Sequence, residues 1–187
     1  MSDKAVFKSS IDYIQKKIGD ILSTVSQDDI NKTKEIFLNS NRIFVYGAGR
    51  SGLVAKAFAI RLVHLGFQTF VVGETITAPV KKGDSVLIIS GSGETIPAVM
   101  TAEIAHNLGA EVISITGKKN SGIAKFADIT IFISADCNET DREKYAPLGT
   151  LFESTVWILL DGIIADLLDT KGETEDDMRD RHATLEQ

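Results

Sequence analysis

The sequence predicts an α/β protein with a doubly wound five-stranded parallel sheet that is flanked by helices. From residue 42 onward, short β-rich runs alternate with glycine-containing loops and helical segments, which is the order that βαβ units require. The run Val86-Leu87-Ile88-Ile89 is continuously apolar, as expected of a strand buried on both faces of a parallel sheet. A length of 187 residues fits a single structural domain.

Two helices precede the first strand and form an N-terminal arm over residues 1–40. Apolar residues recur at steps of three and four over residues 4–25, which predicts an amphipathic helix. Ser26 and Asp29 resemble a capping box that opens a second helix. Because an apolar helix face needs cover, we expect this arm to pack on the core or on a partner subunit.

The core domain is predicted over residues 41–170, and a helical C-terminal tail over residues 171–187. The predicted strands cover residues 42–46, 68–72, 85–90, 111–116 and 129–134. The helices between and after them are predicted over residues 51–65, 96–108 and 150–168. Doubly wound sheets bind ligands outside the carboxyl ends of their strands, so the loops after the first and third strands are the first candidates for a site.

The net charge of −6 comes almost entirely from the end of the chain. The last 22 residues hold eight acids and three bases, so the remainder is close to neutral and can bind a small anion. A stripe of Lys and Arg with interleaved aromatic residues, which is typical of nucleic-acid binding, does not occur in the sequence. We therefore expect no nucleic-acid partner.

The apolar stretches of the sequence are too short or too interrupted to span a bilayer. The longest, residues 155–168, contains Asp161 and Asp166 and falls short of the ~20 residues that a span needs. Cys137 is the single cysteine, and one thiol can form neither an intrachain disulfide nor a zinc cluster. We expect a cytoplasmic protein with no membrane partner.

The loop after the first strand is open to more than one interpretation. Residues 47–52 read Gly-Ala-Gly-Arg-Ser-Gly and formally match the dinucleotide fingerprint G-x-G-x-x-G. Glu74 follows at about the distance expected for a ribose contact. By itself the loop fits a nicotinamide or flavin cofactor, or only a tight turn between a strand and a helix.

The loop after the third strand argues against such a cofactor. Residues 90–95 read Ser-Gly-Ser-Gly-Glu-Thr and precede a helix that begins near Pro97. Glycines allow close backbone approach, hydroxyls donate hydrogen bonds, and a helix N-terminus favours negative charge, so a single phosphate fits, although a flexible polar turn has the same composition. Together the two loops predict a site for a phosphorylated small molecule. The Walker pattern does not occur, which leaves nucleoside triphosphate hydrolysis without support.

Six segments along the chain resemble the 6-phospho-3-hexuloisomerases of the sugar isomerase (SIS) domain superfamily. These segments are residues 47–52, 61–67, 72–75, 90–95, 147–153 and 182–186. The resemblance implies a five-stranded parallel sheet between helices, an aldose/ketose-type isomerase that uses no cofactor and no metal, and a homo-oligomer, usually a tetramer. The implied reaction interconverts D-arabino-3-hexulose 6-phosphate and D-fructose 6-phosphate by base-catalysed proton transfer through an enediolate.

Two other functions are compatible with the same loops. One is an isomerase of a different phosphosugar, such as an arabinose or heptose phosphate, and the other is a non-catalytic module that binds a sugar phosphate for regulation. The resemblance favours the hexulose phosphate, whose isomerisation belongs to the ribulose monophosphate pathway of carbohydrate metabolism. That reaction runs toward fructose 6-phosphate in formaldehyde assimilation, or backward to supply pentose phosphate.

The residues expected to bind the substrate and its phosphate lie in the two loops, where residue chemistry and resemblance agree. They are Gly47, Gly49, Arg50, Ser51, Ser90, Gly91, Ser92, Gly93, Glu94 and Thr95. The hydroxyls are the expected phosphate donors, and the glycines allow the backbone to approach the ligand. Arg50 has an alternative role as a surface group paired with an acid.

The resemblance assigns the proton acceptor to Glu153. This glutamate also completes a capping-box pattern with Thr150, and Glu94 is a rival base in the phosphate loop. His64 and His182 are further catalytic candidates, for ring opening or proton transfer. His64 equally fits a partly buried residue at a helix end, and His182 fits either a solvated tail residue or one that closes over a site, including that of a neighbouring subunit.

Overall fold

The structure is a computed structural model that describes residues 3–135 and 140–184. Within these residues the five strands are parallel and lie in the order β2-β1-β3-β4-β5, which confirms the predicted doubly wound sheet. The strands are β1 (Ile43–Gly47), β2 (Thr69–Val71), β3 (Ser85–Ser90), β4 (Glu111–Thr116) and β5 (Ile129–Phe132). Their ends differ from the predicted ones by at most two residues.

Strand β3 forms the centre of the sheet, and all six of its residues are buried. It pairs with β1 on one side and β4 on the other, so that Ser85 lies beside both Ile43 and Glu111. Successive side chains of a strand point to opposite faces, and Leu87 and Ile88 are both fully buried. The continuous apolar run in the sequence therefore reflects burial of both faces.

Helices cover the two faces of the sheet. The N-terminal and core helices that the sequence predicts begin close to their predicted positions, and a short helix over residues 140–145 was not predicted. They are α1 (Asp3–Leu22), α2 (Gln27–Asn39), α3 (Gly49–His64), α4 (Ile96–Asn107), α5 (Thr140–Tyr145), α6 (Thr150–Lys171) and α7 (Glu175–Asp180). Helix α3 follows β1 directly and α4 follows β3 after a short loop, so both helices begin at the carboxyl edge of the sheet. In the tail, Thr174 and Asp177 form a complete capping box at the start of α7.

The two faces of the sheet carry separate apolar cores. On one face, side chains of α1, α2, α3 and α6 form the larger core, in which Phe37 and Leu62 are fully buried. On the other face, α4 packs its small residues Ala98, Ala102 and Ala105 against the sheet. Alanine lets the helix backbone approach the strands closely, and the opposite face of α4 is left outward.

The N-terminal helices pack on the core of their own chain. Helix α2 lies on β5 and α6, and α1 lies on α5 and α6. Lys34 of α2 donates a 2.5 Å hydrogen bond to Asp166 of α6. Ser26 is the N-cap of α2, and its hydroxyl accepts a hydrogen bond from the Asp29 amide at 3.3 Å, which is one of the two hydrogen bonds of the predicted capping box.

No described helix is both long enough and apolar enough to cross a membrane. Helix α6, which has 22 residues, carries Asp161 and Asp166 among its apolar side chains. Cys137, the single cysteine, lies outside the described residues.

Candidate functional site

The site lies at the carboxyl edge of the sheet, between the ends of β1 and β3. These strands are neighbours in the sheet although β2 separates them in the sequence, so the strand order reverses between them. After β1 the chain continues to α3 on one face of the sheet, and after β3 it continues to α4 on the opposite face. This divergence opens a crevice at the switch point. Both glycine-containing loops lie at this edge, as the sequence predicts.

The loop after β1 turns tightly into α3 because its glycines leave room for the backbone. A Cβ atom on Gly47 would lie 2.7 Å from the Ser51 carbonyl carbon and oxygen, and one on Gly52 would lie 2.5 Å from the Gly47 carbonyl oxygen. Gly49 begins α3 with a φ of +57°, which favours glycine. This turn brings the buried Ser51 to the crevice in the first turn of the helix.

The loop after β3 gathers three hydroxyl groups at the start of α4. The Thr95 hydroxyl oxygen lies 3.3 Å from that of Ser90 and 3.4 Å from that of Ser92. The amides of Gly93 and Glu94 donate hydrogen bonds to the Ser90 and Ser92 hydroxyls, at 3.1 and 3.2 Å. Thr95 is the N-cap of α4, yet its side chain makes no capping hydrogen bond. Hydroxyls clustered at a helix N-terminus suit a bound phosphate.

The tip of this loop packs against the segment that follows β4. Gly93 has a φ of +67°, and a Cβ atom on it would lie only 2.4 Å from the Ser121 side chain and 2.7 Å from the Thr116 hydroxyl. The Ile123 amide also donates a 3.0 Å hydrogen bond to the Gly93 carbonyl. Glycine is therefore the residue that allows this contact, and Ser121 is a supporting residue that the sequence analysis missed.

Glu94 joins the same two segments and does not line the cleft that contains Glu153. Its Oε1 atom accepts a 3.0 Å hydrogen bond from the Gly122 amide. Its side chain lines a separate cavity of about 460 Å³ together with Lys119 and Lys125. Glu94 therefore connects the loop after β3 to the segment after β4, as a tether between them. It does not reach the cleft in which Glu153, the other candidate base, lies.

A cleft of about 530 Å³ separates the two loops from the start of α6. Expected residues that line it include Ser51, Gly91, Ser92 and Glu153. Two basic residues, Lys118 and Arg142, also line the cleft and were not identified from the sequence. Lys118 follows the carboxyl end of β4. Because ligands of doubly wound sheets bind outside the carboxyl ends of the strands, the loop after β4 was also a candidate, and it contains Lys118. No sequence pattern singles out Arg142.

Glu153 lies in the first turn of α6, where its side chain is 13% exposed and accepts a hydrogen bond from the Arg50 Nε atom. The capping-box interpretation of Glu153 is wrong, because α6 is capped by Gly149 and Thr150 is already helical. The Thr150 hydroxyl donates instead to the Pro147 carbonyl at 2.6 Å. Arg50 is indeed an exposed group paired with an acid, and that acid is the candidate base.

His64 and His182 contact each other at the far end of α3. His64 is the last residue of that helix and is buried, and its ring stacks on that of His182 with 4.9 Å between centroids. A rise of about 1.5 Å per residue separates His64 from Arg50 by roughly 21 Å along the helix. Within one chain, therefore, the two histidines lie together but far from Glu153.

The surroundings of His64 disfavour its charged form. Burial, the neighbouring His182 and the Arg61 guanidinium hold the pKa of His64 below its ordinary value. The Arg181 guanidinium donates a 3.0 Å hydrogen bond to the His64 carbonyl and forms an ion pair with Glu173, which attaches the tail to the end of α3.

The contacts of Glu74 and the spacing of possible metal ligands bear on cofactor and metal binding. Glu74, the ribose contact of the dinucleotide interpretation, forms a 2.6 Å ion pair with Lys56 on the surface. Among residues 3–135 and 140–184, no three side chains of His, Cys, Asp or Glu lie close enough together to hold a metal ion.

The class of protein follows from where these groups lie. Hydroxyls, a helix N-terminus and two basic side chains surround one crevice at the switch point of a parallel sheet, which defines a doubly wound α/β protein with a crevice suited to small anions. More specifically, the chain belongs to the SIS domain family, whose family model matches residues 36–160.

The relatives of the chain include enzymes of known name. The 3-hexulose-6-phosphate isomerase of Bacillus subtilis is 39% identical over 165 residues, which cover 87% of this chain and 89% of the relative. The enzyme of the same name from Methylomonas aminofaciens is 38% identical over 177 residues, covering 94% and 97%. A crystal structure from Methanococcus jannaschii, for which a 3-hexulose-6-phosphate isomerase function was inferred, matches 94% of this chain and 98% of its own with a TM-score of 0.84 and 31% identity.

Proposed function

We propose that the chain is a 6-phospho-3-hexuloisomerase, which interconverts D-arabino-3-hexulose 6-phosphate and D-fructose 6-phosphate. The observation that carries the proposal is the Glu153 carboxylate, held by Arg50 beside a cleft that the hydroxyl-rich loop after β3 also lines. The relatives named 3-hexulose-6-phosphate isomerase, which match most of the chain, support this substrate over other phosphosugars.

The phosphate of the substrate binds at the start of α4. The hydroxyls of Ser90, Ser92 and Thr95 supply hydrogen bonds, and the helix N-terminus favours the negative charge. Lys118 and Arg142, which line the cleft together with Ser92, balance the remaining charge of the phosphate dianion. This arrangement leaves the sugar carbons in the direction of Glu153.

Glu153 acts as the base that moves a proton between two carbons. Its carboxylate takes the proton from C2 of the hexulose, and the electrons of that bond form a C2–C3 double bond while the C3 oxygen becomes negative. The protonated carboxyl then returns the proton to C3 as the C2 hydroxyl loses its own proton and becomes the carbonyl. Because the substrate is neither oxidised nor reduced overall, the reaction requires no redox cofactor.

The negative charge of the enediolate needs a nearby cation or hydrogen-bond donor. Arg50 is suited to this role, because its Nε binds Glu153 and the guanidinium carries further N–H donors. The remaining proton has to pass from the C2 oxygen to the C3 oxygen, and His64 and His182 are our candidates for that step and for ring opening. At roughly 21 Å along α3 from Arg50, they can act only in the site of another subunit.

A homo-oligomer is part of this proposal, and two outward apolar surfaces support it. One lies on α3 and α6 and exposes Leu53, Ile60, Trp157 and Ile158, and the other lies along α4 and exposes Ile96, Met100, Ile104 and Leu108. Exposed apolar surfaces of this kind mark protein interfaces. Two separate faces, each pairing with its own copy, produce a closed tetramer.

The surface on α3 and α6 also explains how distant residues can share a site. Arg50 and His64 lie near opposite ends of α3. When two copies of α3 pair antiparallel about a two-fold axis, His64 of the partner subunit comes toward Arg50 and Glu153. The proposed site is therefore completed by a second copy of the chain.

A coupled assay tests the proposed reaction. The protein is supplied with 3-hexulose 6-phosphate, and formation of fructose 6-phosphate is followed with a reporter enzyme. We expect turnover by the wild type, a loss of about a thousandfold in kcat for Glu153→Gln, and unchanged activity for Glu35→Gln, an exposed carboxylate on α2. Activity that survives dialysis against a chelator is also expected.

The alternatives correspond to other outcomes of the same assay. Turnover of an arabinose or heptose phosphate without turnover of 3-hexulose 6-phosphate would show an isomerase of another phosphosugar. Saturable binding of these sugar phosphates with no turnover of any of them would identify a regulatory binding module.

Subunit mixing tests the shared site. Glu153→Gln and His64→Asn are each expected to be inactive alone, and mixed oligomers of the two should regain activity if each site draws on two chains. Leu53→Glu should dissociate the pair at α3 and α6 and abolish activity, with the change in mass measured by light scattering. Full activity in a monomer would contradict the shared site.

A further inference from the structure

Leu148 combines an unfavourable backbone conformation with an unusually exposed apolar side chain. Its φ of 55° makes it the single non-glycine residue with positive φ among residues 3–135 and 140–184. Its side chain is 91% exposed, which is more than any other large apolar side chain in the described part of the chain. A leucine in the left-handed region is strained, and an exposed one gains nothing from burial. Such an outlier points toward function when the surrounding structure enforces it.

The turn around Leu148 enforces this conformation from both sides. The amide and hydroxyl of Thr150 both donate to the Pro147 carbonyl, at 3.3 and 2.6 Å, which closes a four-residue turn. Positive φ at Leu148 followed by φ −80° and ψ 7° at Gly149 has the signs of a type II′ turn, where glycine normally occupies the first central position. Arg142 adds a 3.3 Å hydrogen bond to the Leu148 carbonyl.

This turn lies at the cleft and directly precedes the helix that carries Glu153. Leu148 lines the cleft together with Ser92 and Glu153. A Cβ atom on Gly149 would lie 3.1 Å from the Glu153 carboxylate, so the turn and the carboxylate are in close contact. The exposed leucine therefore stands beside the base and faces the space that a substrate would occupy.

We propose that Leu148 is the residue that excludes water from Glu153 when the substrate is bound. Its side chain covers the sugar carbons next to the carboxylate, and the apolar area buried in that contact favours substrate binding. While Glu153 holds the proton taken from C2, this cover slows exchange of that proton with solvent. The inference rests on the proposed isomerase function and adds to it a substrate contact that does no proton transfer itself.

The test measures proton exchange during turnover. Unlabelled 3-hexulose 6-phosphate is converted in D2O, and deuterium at C3 of the fructose 6-phosphate formed is measured by NMR at low conversion. We expect the wild type to return part of the original hydrogen, and Leu148→Ala to incorporate more deuterium with kcat/KM lowered about tenfold. Ile76→Ala removes an 86% exposed side chain outside the cleft lining and should match the wild type.

A second variant separates this role from a contribution to folding. Leu148→Gly relieves the positive φ, so its Tm should equal or exceed that of the wild type by about 2–4 °C. Its deuterium incorporation should nevertheless rise as in Leu148→Ala. Three results would overturn the proposal. In the first, activity falls in parallel with Tm across the two variants. In the others, deuterium incorporation in the variants equals that of the wild type, or the wild type already exchanges the proton completely. A wild type without turnover overturns the isomerase function itself, which is a separate result.

Discussion

The Nε atom of Arg50, at the start of α3, donates a hydrogen bond to the Glu153 carboxylate at the start of α6. The Arg50 side chain is 70% exposed and that of Glu153 is 13% exposed, so the pair joins the surface to the edge of the cleft. An ion pair this exposed contributes little to folding stability. In the proposed mechanism, the pair holds the candidate base in one position and brings a cation to the reacting carbons.

Replacement of Arg50 should therefore impair catalysis without unfolding the protein. We expect Arg50→Met to lower kcat about a hundredfold, because the enediolate loses a cation, and Arg50→Lys to retain part of the activity. Steady-state kinetics and thermal unfolding measure the two effects. Lys56→Met breaks the comparably exposed pair with Glu74 and should leave kcat unchanged. Equal losses in both variants would contradict a specific role for Arg50.

Glu94 offers a way to distinguish a tether from a base. Glu94→Gln keeps an oxygen that can accept from the Gly122 amide, so its kinetics should stay close to those of the wild type. Glu94→Ala removes the acceptor, and we expect KM to rise about tenfold as the phosphate loop loosens, with kcat little changed. A large loss of kcat in Glu94→Gln would instead identify Glu94 as the base.

Gly93→Ala should disrupt the loop after β3, residues 90–95, which is the proposed phosphate site. The added methyl group would lie 2.4 Å from the Ser121 side chain, and φ is +67°, so we expect a loss of about 2 kcal/mol in the free energy of unfolding and weaker binding of inorganic phosphate. Gly19→Ala is the control, because nothing lies within 4 Å of its Cβ position in α1, and it should stabilise the protein by about 0.5–1 kcal/mol. Denaturant titration measures both. Equal stability of the two variants would refute the packing argument.

The low pKa of His64 predicts a stability that falls in mild acid. The unfolded chain binds a proton near the ordinary pKa of 6.5 while the folded chain resists it, so the contribution is complete above pH 6.5 and is lost as the pH falls toward the lower, folded pKa. His182, Arg61 and Asp161 line the same cavity around His64.

Denaturant unfolding between pH 7.5 and 5.5 checks this, with His64→Gln as the comparison. The wild type should lose more stability across the interval than the variant, and NMR titration should show His64 protonating below pH 6.5. Parallel pH profiles for the two proteins would rule out His64 as the source.

Local patterns were enough to predict the fold because strands and helices carry their signals in neighbouring residues. The apolar run of β3 and the glycines that follow β1 each describe their own surroundings. The prediction failed at the start of α6, where either of two adjacent residues could be the N-cap. Thr150 and Glu153 match a capping box, but the turn from Pro147 moves the cap to Gly149 and frees Glu153 to bind Arg50.

By itself, the sequence determined the parallel sheet, the two loops that suit a phosphate and the candidate base, since each depends on residue type and short spacing. The tertiary structure alone decided that Glu94 reaches Gly122, that Lys118 and Arg142 enter the cleft, and that the two histidines stack at the far end of α3. These relationships join segments that are distant in the chain. They arise from how helices pack on a twisted sheet, and no local pattern encodes that packing.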